Sequence, residues 1–358
     1  MIDRIIRSHL RGFHPYTSAR SEFAALPGGG GGRTILLDAN ELSAGSPVAC
    51  NGIPLNRYPD PMQQELRGRI AGRLRVSSDE IFLGVGSDEI IDLLVRLCCD
   101  PGTDSVVILG PTYGVYRVAA NLNAVAVVDA ELEGGFQIDL EGTRAAMGSA
   151  KLLFCCSPNN PTGNLLRVSD IEKLCTEFTG LVIVDQAYIE FASSGAAGCG
   201  DLMQNRAGLE NLVILRTLSK GWGLAGIRLG YCIASPQIVS HLLRIKFPYN
   251  VGSVSSRIAL EALDKEEFLR SSVRSVVRER ELLSVRLKEI REVVRVYPSD
   301  ANFLLVEFQD SLIAFERLKR AGIIVRRRSE QRLRNCLRIT VGTPDENTLL
   351  VETLRGLT

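Results

Sequence analysis

Four short segments of the sequence place reactive side chains directly after apolar runs. In RTLSKGWGLAGIRLGY (216–231), Lys220 follows one such run, sits among small and hydroxylated residues, and is followed eight positions on by Arg228. The ordinary reading of a lysine is a solvated surface cation. At the mouth of a buried sheet, however, the amine would be partly desolvated and its pKa would fall. It would then be a nucleophile suited to imine formation with a carbonyl. Thr217, Ser219 and Arg228 stand beside it as candidate ligands for a phosphate.

VIVDQAYIEF (182–191) ends a second apolar run with Asp185 and places Tyr188 three residues later. An aspartate in that place is commonly a turn or cap residue. A buried carboxylate can also face the nitrogen of a pyridine ring and keep it protonated, so that the ring draws electrons from an attached carbanion. Tyr188 could donate to an oxygen on the same ring. SPNNPTGN (157–164) is a tight loop by composition. Its Asn160, held between prolines after KLLFCC, offers a rigid amide to that oxygen. GVGSDEII (84–91) reads as a helix start capped by Ser87. The amides of Ser87 and Asp88 at that helix end form an anion site. Tyr113 in PTYGVY (111–116) could lie flat on a heteroaromatic ring, with core packing the competing reading.

These residues need a scaffold that brings strand ends together. Helical stretches (Pro61 to Leu74, a helix opening at Ser87, one after Pro111, one capped by Ser169) alternate with the apolar runs VVILG (106–110), AVAVV (124–128), KLLFCC (151–156), LVIVD (181–185), NLVILR (211–216) and IRLGYCIA (227–234). Near-continuous β-branched runs flanked by helices predict an α/β fold with a mostly parallel sheet buried on both faces. Ligands of such sheets bind beyond the carboxyl ends of the strands, where the four segments lie. After about residue 255, a long charged helix, VVRVYP, NFLLVEF, GIIVR and CLRITVG predict a smaller α+β domain. The expected limits are an N-terminal arm with part of the small domain at 1–45, a large domain at 46–255 and a small domain at 256–358. The glycine run Gly28 to Gly32 reads as a loop.

Forty-two basic and forty-one acidic side chains leave a formal charge of +1. That balance gives no field to attract nucleic acid or an anionic membrane, so the expected partner is a small molecule. No apolar run is long enough to span a bilayer, and charges interrupt the first residues, MIDRIIRSHLRGF, so a cytoplasmic location is expected. Nine cysteines, with Cys155, Cys156 and Cys232 in apolar runs, read as reduced core thiols. His9, His14 and His241 form no ligand cluster, and no metal is expected.

Taken in order, GSDE, NNPTG, VDQAY and TLSKGWGLAGIRLG resemble the fold-type I pyridoxal-phosphate aminotransferases over nearly the whole chain. Within that family the sequence is most similar to the histidinol-phosphate aminotransferases, through HPYTSAR (14–20), LDANE (37–41), NRYPDP (56–61), AYIEF (187–191), GIIVR (322–326) and CLRITVG (336–342). The resemblance implies pyridoxal 5′-phosphate as cofactor, with Lys220, Asp185 and Tyr188 as the catalytic set. Lys220 would bind the cofactor covalently and then move the substrate's proton. Asp185 would pair with the ring nitrogen, Asn160 and Tyr188 with the ring oxygen, and Tyr113 with the ring face. Ser87, Asp88, Thr217, Ser219 and Arg228 would hold the phosphate. Tyr58 would reach the phosphate of a neighbouring subunit, which implies a homodimer with active sites at its interface.

For substrate, the resemblance implies Arg326 and Arg338 as anchors and Tyr16 and Asn40 as closing residues. A guanidinium suits both a carboxylate and a phosphate ester, and the implied reaction presents both: ping-pong transfer from histidinol phosphate to 2-oxoglutarate through pyridoxamine phosphate. Arg326 also belongs to the charge-rich stretch RRRSEQRLR (326–334), whose ordinary reading is a solvated face. Gln186 stands where the family commonly has glutamate, LDANELS departs from its usual loop, and SKGW replaces SKAF. Three rival readings are a threonine-phosphate decarboxylase, an aromatic or broad-specificity aminotransferase, and a catalytically silent binding protein on the same fold. The last expects a lesion at the lysine, aspartate or asparagine, and none is present.

Overall fold

A computed structural model describes residues 2–11, 50, 52–192, 202–203, 206, 208–328 and 330–356. Tyr16, Asn40 and the glycine run lie outside these residues. A seven-stranded sheet in the order β1-β7-β6-β5-β4-β2-β3 contains β1 (Ile81–Val85), β2 (Ser105–Gly110), β3 (Ala126–Glu131), β4 (Leu152–Cys156), β5 (Leu181–Asp185), β6 (Leu212–Thr217) and β7 (Leu229–Ile233). Strands β3, β2, β4, β5 and β6 are parallel, whereas β7 runs antiparallel to both β6 and β1.

Successive side chains of these strands enter two different cores. Leu153, Cys155, Val182, Val184 and Ile214 face one; Leu152, Phe154, Cys156, Ile183 and Leu215 face the other. Both faces are dry, which is why the strands read as unbroken apolar runs. Cys155, Cys156 and Cys232 are buried free thiols, as expected of small hydrophobes in that setting. Covering helices include α1 (Ile2–Ile5), α2 (Gln64–Leu74), α3 (Gly86–Cys98), α4 (Val115–Leu122), α5 (Leu140–Met147), α6 (Val168–Glu177) and α7 (Pro236–Ile245). Ile2, Ile5 and Ile6 join the core that holds Phe82 and Phe154, so the described start of the chain packs on the large sheet.

Then α8 (Ser253–Leu263) and the 23-residue α9 (Glu266–Lys288) lead to a second, antiparallel sheet in the order β10-β11-β9-β8. It comprises β8 (Val293–Val296), β9 (Phe303–Phe308), β10 (Arg326–Arg327) and β11 (Cys336–Thr340), packed against α10 (Ser311–Arg320) and α11 (Pro344–Arg355). Leu283, Leu287, Leu304, Val306, Leu337 and Val351 form its separate core. Among the described residues no helix is long and apolar enough to cross a membrane.

Element boundaries moved where side chains intervene. Helix α2 starts at Gln64 rather than near Pro61, because the Asp60 carboxylate accepts the amides of Met62 (2.8 Å) and Gln64 (2.7 Å) and Gln63 is left-handed. Strand β3 begins two residues later than AVAVV, since Ala124 adopts φ 52° in closing the turn after α4. The cap residue of α6 is Arg167, not Ser169, and that of α3 is Val85, not Ser87.

Candidate active site

The topology explains where the reactive residues meet. Because β4, β5 and β6 are parallel, Asp185 at the end of β5 and Asn160 and Lys220 just after β4 and β6 lie at the same edge of the sheet. Strand β7 runs the other way, so its beginning reaches that edge and delivers Arg228. There they line a cavity of about 190 Å³ with Gly86, Ser87, Asp88, Tyr113, Cys156, Ala187, Tyr188, Thr217, Ser219 and, from β11 of the second sheet, Arg338.

At one end the donors suit an anion. Helix α3 opens at Gly86, so the amides of Ser87 and Asp88 fall in its first turn, where a helix leaves N–H groups free of intrahelical partners. Thr217 Oγ1 lies 3.0 Å from Ser219 Oγ, and Arg228 Nη1 donates to Ser219 Oγ at 3.5 Å. Arg228 is itself left-handed, φ 52°, a conformation a non-glycine residue holds only when its surroundings impose it. Its Nη2 donates to Asp88 Oδ2 at 3.3 Å.

Gly86 makes that approach possible: a Cβ there would stand 2.8 Å from Arg228 Nη2, and φ is +73°. Gly86→Ala is therefore expected to lower stability by roughly 1–3 kcal/mol and to displace the guanidinium, weakening binding of a phosphate-bearing ligand. Thermal melts and ligand titration of the variant check this; unchanged values in both would remove Gly86 from the account. The turn is also braced from outside the cavity. Glu89 Oε2 accepts from the Val85 amide (2.6 Å) and from Asn250 Nδ2 (2.9 Å). Asn250 Oδ1 in turn accepts from Lys246 Nζ at 3.1 Å, and burial brings the Lys246 pKa down to about 8.

At the other end lies Asp185, 3% exposed. Burial raises its pKa to about 6, against the opposing effect of hydrogen bonds from the Tyr116 hydroxyl (2.8 Å) and the Ala187 amide (3.0 Å). The folded pKa thus lies above the ordinary 3.8, so the folded protein holds its proton more tightly than the unfolded chain. Stability of the cofactor-free protein should fall as pH rises from about 4 through 6. Asp185→Asn should remove that limb and raise the melting temperature above pH 6, and equal melting curves for the two proteins at every pH would contradict it.

Between the ends stand the groups suited to a ring. Asn160 Nδ2 lies 3.4 Å from Tyr188 Oη, and Asn160 Oδ1 accepts from Arg338 Nη1 at 2.5 Å. Asn159 fixes this loop, donating to Pro111 O (2.9 Å) and Thr162 Oγ1 (2.7 Å) while accepting from Thr112. Tyr113 donates to Asp88 Oδ1 at 3.3 Å and meets Tyr116 edge-on. Lys220 Nζ sits 5.6 Å from the Tyr188 ring centre. Its pKa is lowered by desolvation first and then by Arg338 and Arg228, with Asp185 and Asp88 opposing. The residue as a whole is exposed, so the amine is partly desolvated within a cavity open to solvent rather than dry.

The donor set fits pyridoxal phosphate, the cofactor expected from the sequence: hydroxyls, amides and a guanidinium for the phosphate, a buried carboxylate for the ring nitrogen, and an amine with lowered pKa for the aldehyde. Two expected site residues fall elsewhere. Tyr58 is 51% exposed and stacks on Tyr249 at 4.5 Å, outside the cavity of its own chain. Arg326 is directly opposite Arg338 in the β10–β11 register, hence on the same sheet face, but exposed on the edge strand and not part of the cavity lining. Tyr16 and Asn40 are outside the described residues. Tyr116 and Cys156 were missed: both sit in apolar stretches where core packing is the default reading, and only the fold shows one bonded to Asp185 and the other lining the cavity.

Comparison with known proteins agrees with this geometry. The profile of the family described as aminotransferase class I and II matches residues 40–354. The histidinol-phosphate aminotransferase of Parabacteroides distasonis is 42% identical, covering 99% of this chain and 98% of its own. That of Cytophaga hutchinsonii is 40% identical, with 99% and 98% covered. Two solved structures share the fold at 25% identity. The histidinol-phosphate aminotransferase of Clostridium acetobutylicum superposes with TM-score 0.77, covering 85% of this chain and 91% of that one. That of Sinorhizobium meliloti, in complex with pyridoxal 5′-phosphate, superposes with TM-score 0.78 over 85% and 84%. With the fold, the cavity and the full-length match in agreement, the chain belongs to the class I and II aminotransferase family.

Proposed function

We propose that the protein is a pyridoxal-phosphate-dependent aminotransferase that transfers the amino group of L-histidinol phosphate to 2-oxoglutarate, giving imidazole-acetol phosphate and glutamate in histidine biosynthesis. The observation that carries the chemistry is the meeting of Lys220, Asp185 and the phosphate donors in one cavity. The full-length relatives support the substrate. Bound pyridoxal phosphate supplies an electrophilic carbonyl and an electron-withdrawing ring. In this reading Lys220 holds the cofactor covalently and, once substrate displaces it, carries the proton leaving the substrate's α-carbon. Asp185 faces the ring nitrogen, Asn160 and Tyr188 the ring oxygen, and Tyr113 the ring. Ser87, Asp88, Thr217, Ser219 and Arg228 hold the phosphate.

Arg338 binds the carboxylate of glutamate in one half-reaction and anchors histidinol phosphate in the other, with Arg326 as a second anchor and Tyr16 and Asn40 as the residues that close over the bound substrate. Tyr58, which does not line the cavity of its own chain, serves a partner subunit in a homodimer, and an N-terminal arm with part of the small domain (1–45), a large domain (46–255) and a small domain (256–358) divide the chain. The test compares kcat/KM for histidinol phosphate, phenylalanine and threonine phosphate. Preference for histidinol phosphate over phenylalanine by about 100-fold or more is expected, since loss of a bonded polar group from a built site is heavily penalised. Carbon dioxide release from threonine phosphate, or equal use of phenylalanine, overturns the substrate assignment.

A further inference from the structure

We infer that Tyr116 is a positioning residue, whose hydroxyl sets the orientation of the Asp185 carboxylate toward the cofactor ring. The inference rests on the proposed role of Asp185. Tyr116 is fully buried in the first turn of α4, three residues after Tyr113, and does not line the cavity. Its ring stacks on Phe154 at 4.9 Å and 9°, and its edge contact with Tyr113 is 5.6 Å between centres. These contacts leave the phenol one direction to point. Its hydroxyl donates to Asp185 Oδ2 at 2.8 Å, while the Ala187 amide donates to Oδ1 at 3.0 Å. The terminal torsion of an aspartate is broad, so the plane of the carboxylate is set by its donors. One donor on each oxygen fixes that plane and leaves further lone pairs free to accept from the cavity.

The pH consequence follows from what surrounds Asp185. Tyr116 and Tyr113 face it from α4 and its approach, Cys156 from β4, Asp88 from α3, Lys220 from beyond β6 and Tyr188 from beyond β5. Burial and Asp88 favour the neutral acid; Tyr116, Ala187 and Lys220 favour the carboxylate. Removing the phenol takes away the largest stabiliser of the charged form, so Asp185 should take up its proton at higher pH than in the wild type. A neutral Asp185 does not pair with a protonated ring nitrogen.

Tyr116→Phe keeps the ring and its stacking and deletes only the hydroxyl. Titrating the cofactor-free protein with pyridoxal phosphate by absorbance, from pH 5.5 to 8.5, should show affinity lowered roughly 3- to 10-fold at pH 7, with the deficit widening as pH falls. In an Asp185→Asn background the same substitution should have little further effect, because the group it orients is gone. A change confined to the melting temperature, with affinity and its pH profile unmoved, overturns the positioning role. So does an equal loss in both backgrounds. If the wild-type protein itself ignores pyridoxal phosphate, the cofactor reading falls and this one with it; wild-type binding with an unaffected variant defeats this one alone.

Discussion

Lys220→Ala is expected to leave a folded protein whose transamination rate has dropped by at least about 10⁴-fold. Two roles disappear together. The amine that would hold the cofactor aldehyde is lost, and so is the acid–base group at the substrate's α-carbon, a contribution that by itself reaches about 10²- to 10⁴-fold. Folding should survive because Lys220 is exposed at the cavity rather than packed into either core, and removing its partly desolvated ammonium relieves the repulsion from Arg338 and Arg228. Borohydride reduction of the loaded wild-type enzyme, followed by peptide mass spectrometry, should place the cofactor on Lys220. An adduct on another side chain, or a variant within tenfold of the wild-type rate, removes the foundation of the proposed chemistry.

Much of this site was legible because it is built from strand ends. A parallel sheet buried on both faces writes each strand as an apolar run, and the residue after the run must emerge at a common edge. Asp185, which ends such a run, and Asn160 and Lys220, which follow within a few residues, are drawn to one edge by that rule. The turn at Gly86 was legible as a helix start but differs in detail. Gly86 in the left-handed region begins the helix one residue early, so Ser87 contributes an amide in the first turn rather than a capping side chain. Tyr116 was hidden because helical spacing accounts for a buried tyrosine without any functional partner. Its bond to Asp185 spans 69 residues and exists only once α4 and β5 are brought together by the fold.

The arginines show the same limit. Both Arg326 and Arg338 lie in strands of the second sheet, and the charge-rich run around Arg326 is the one sign in the sequence that it faces solvent. Register places them directly opposite each other on one face, but β10 is the edge strand, so Arg326 is exposed while Arg338, on β11, reaches Asn160.

Arg338→Ala should consequently lower kcat/KM by about 10²- to 10⁴-fold with glutamate and with histidinol phosphate alike. The guanidinium is half-buried, donates to Asn160 Oδ1 and lies 5.4 Å over the Phe303 ring, so its position is fixed before substrate arrives. Leaving a buried anion without its partner costs about 3–5 kcal/mol, which corresponds to that range. Arg338→Lys should recover only part of the loss, since an ammonium lacks the planar pair of donors that matches a carboxylate or phosphate. The substitution to alanine also removes the cation that contributes most, after desolvation, to lowering the Lys220 pKa. Lys220 should then remain protonated to higher pH, and the alkaline shift of the acid limb of activity should accompany the loss in kcat/KM. A variant that keeps its rate with either substrate shows that the two do not share this anchor. A variant that loses rate with no shift of the acid limb shows that Arg338 acts on substrate alone and leaves the lysine untouched.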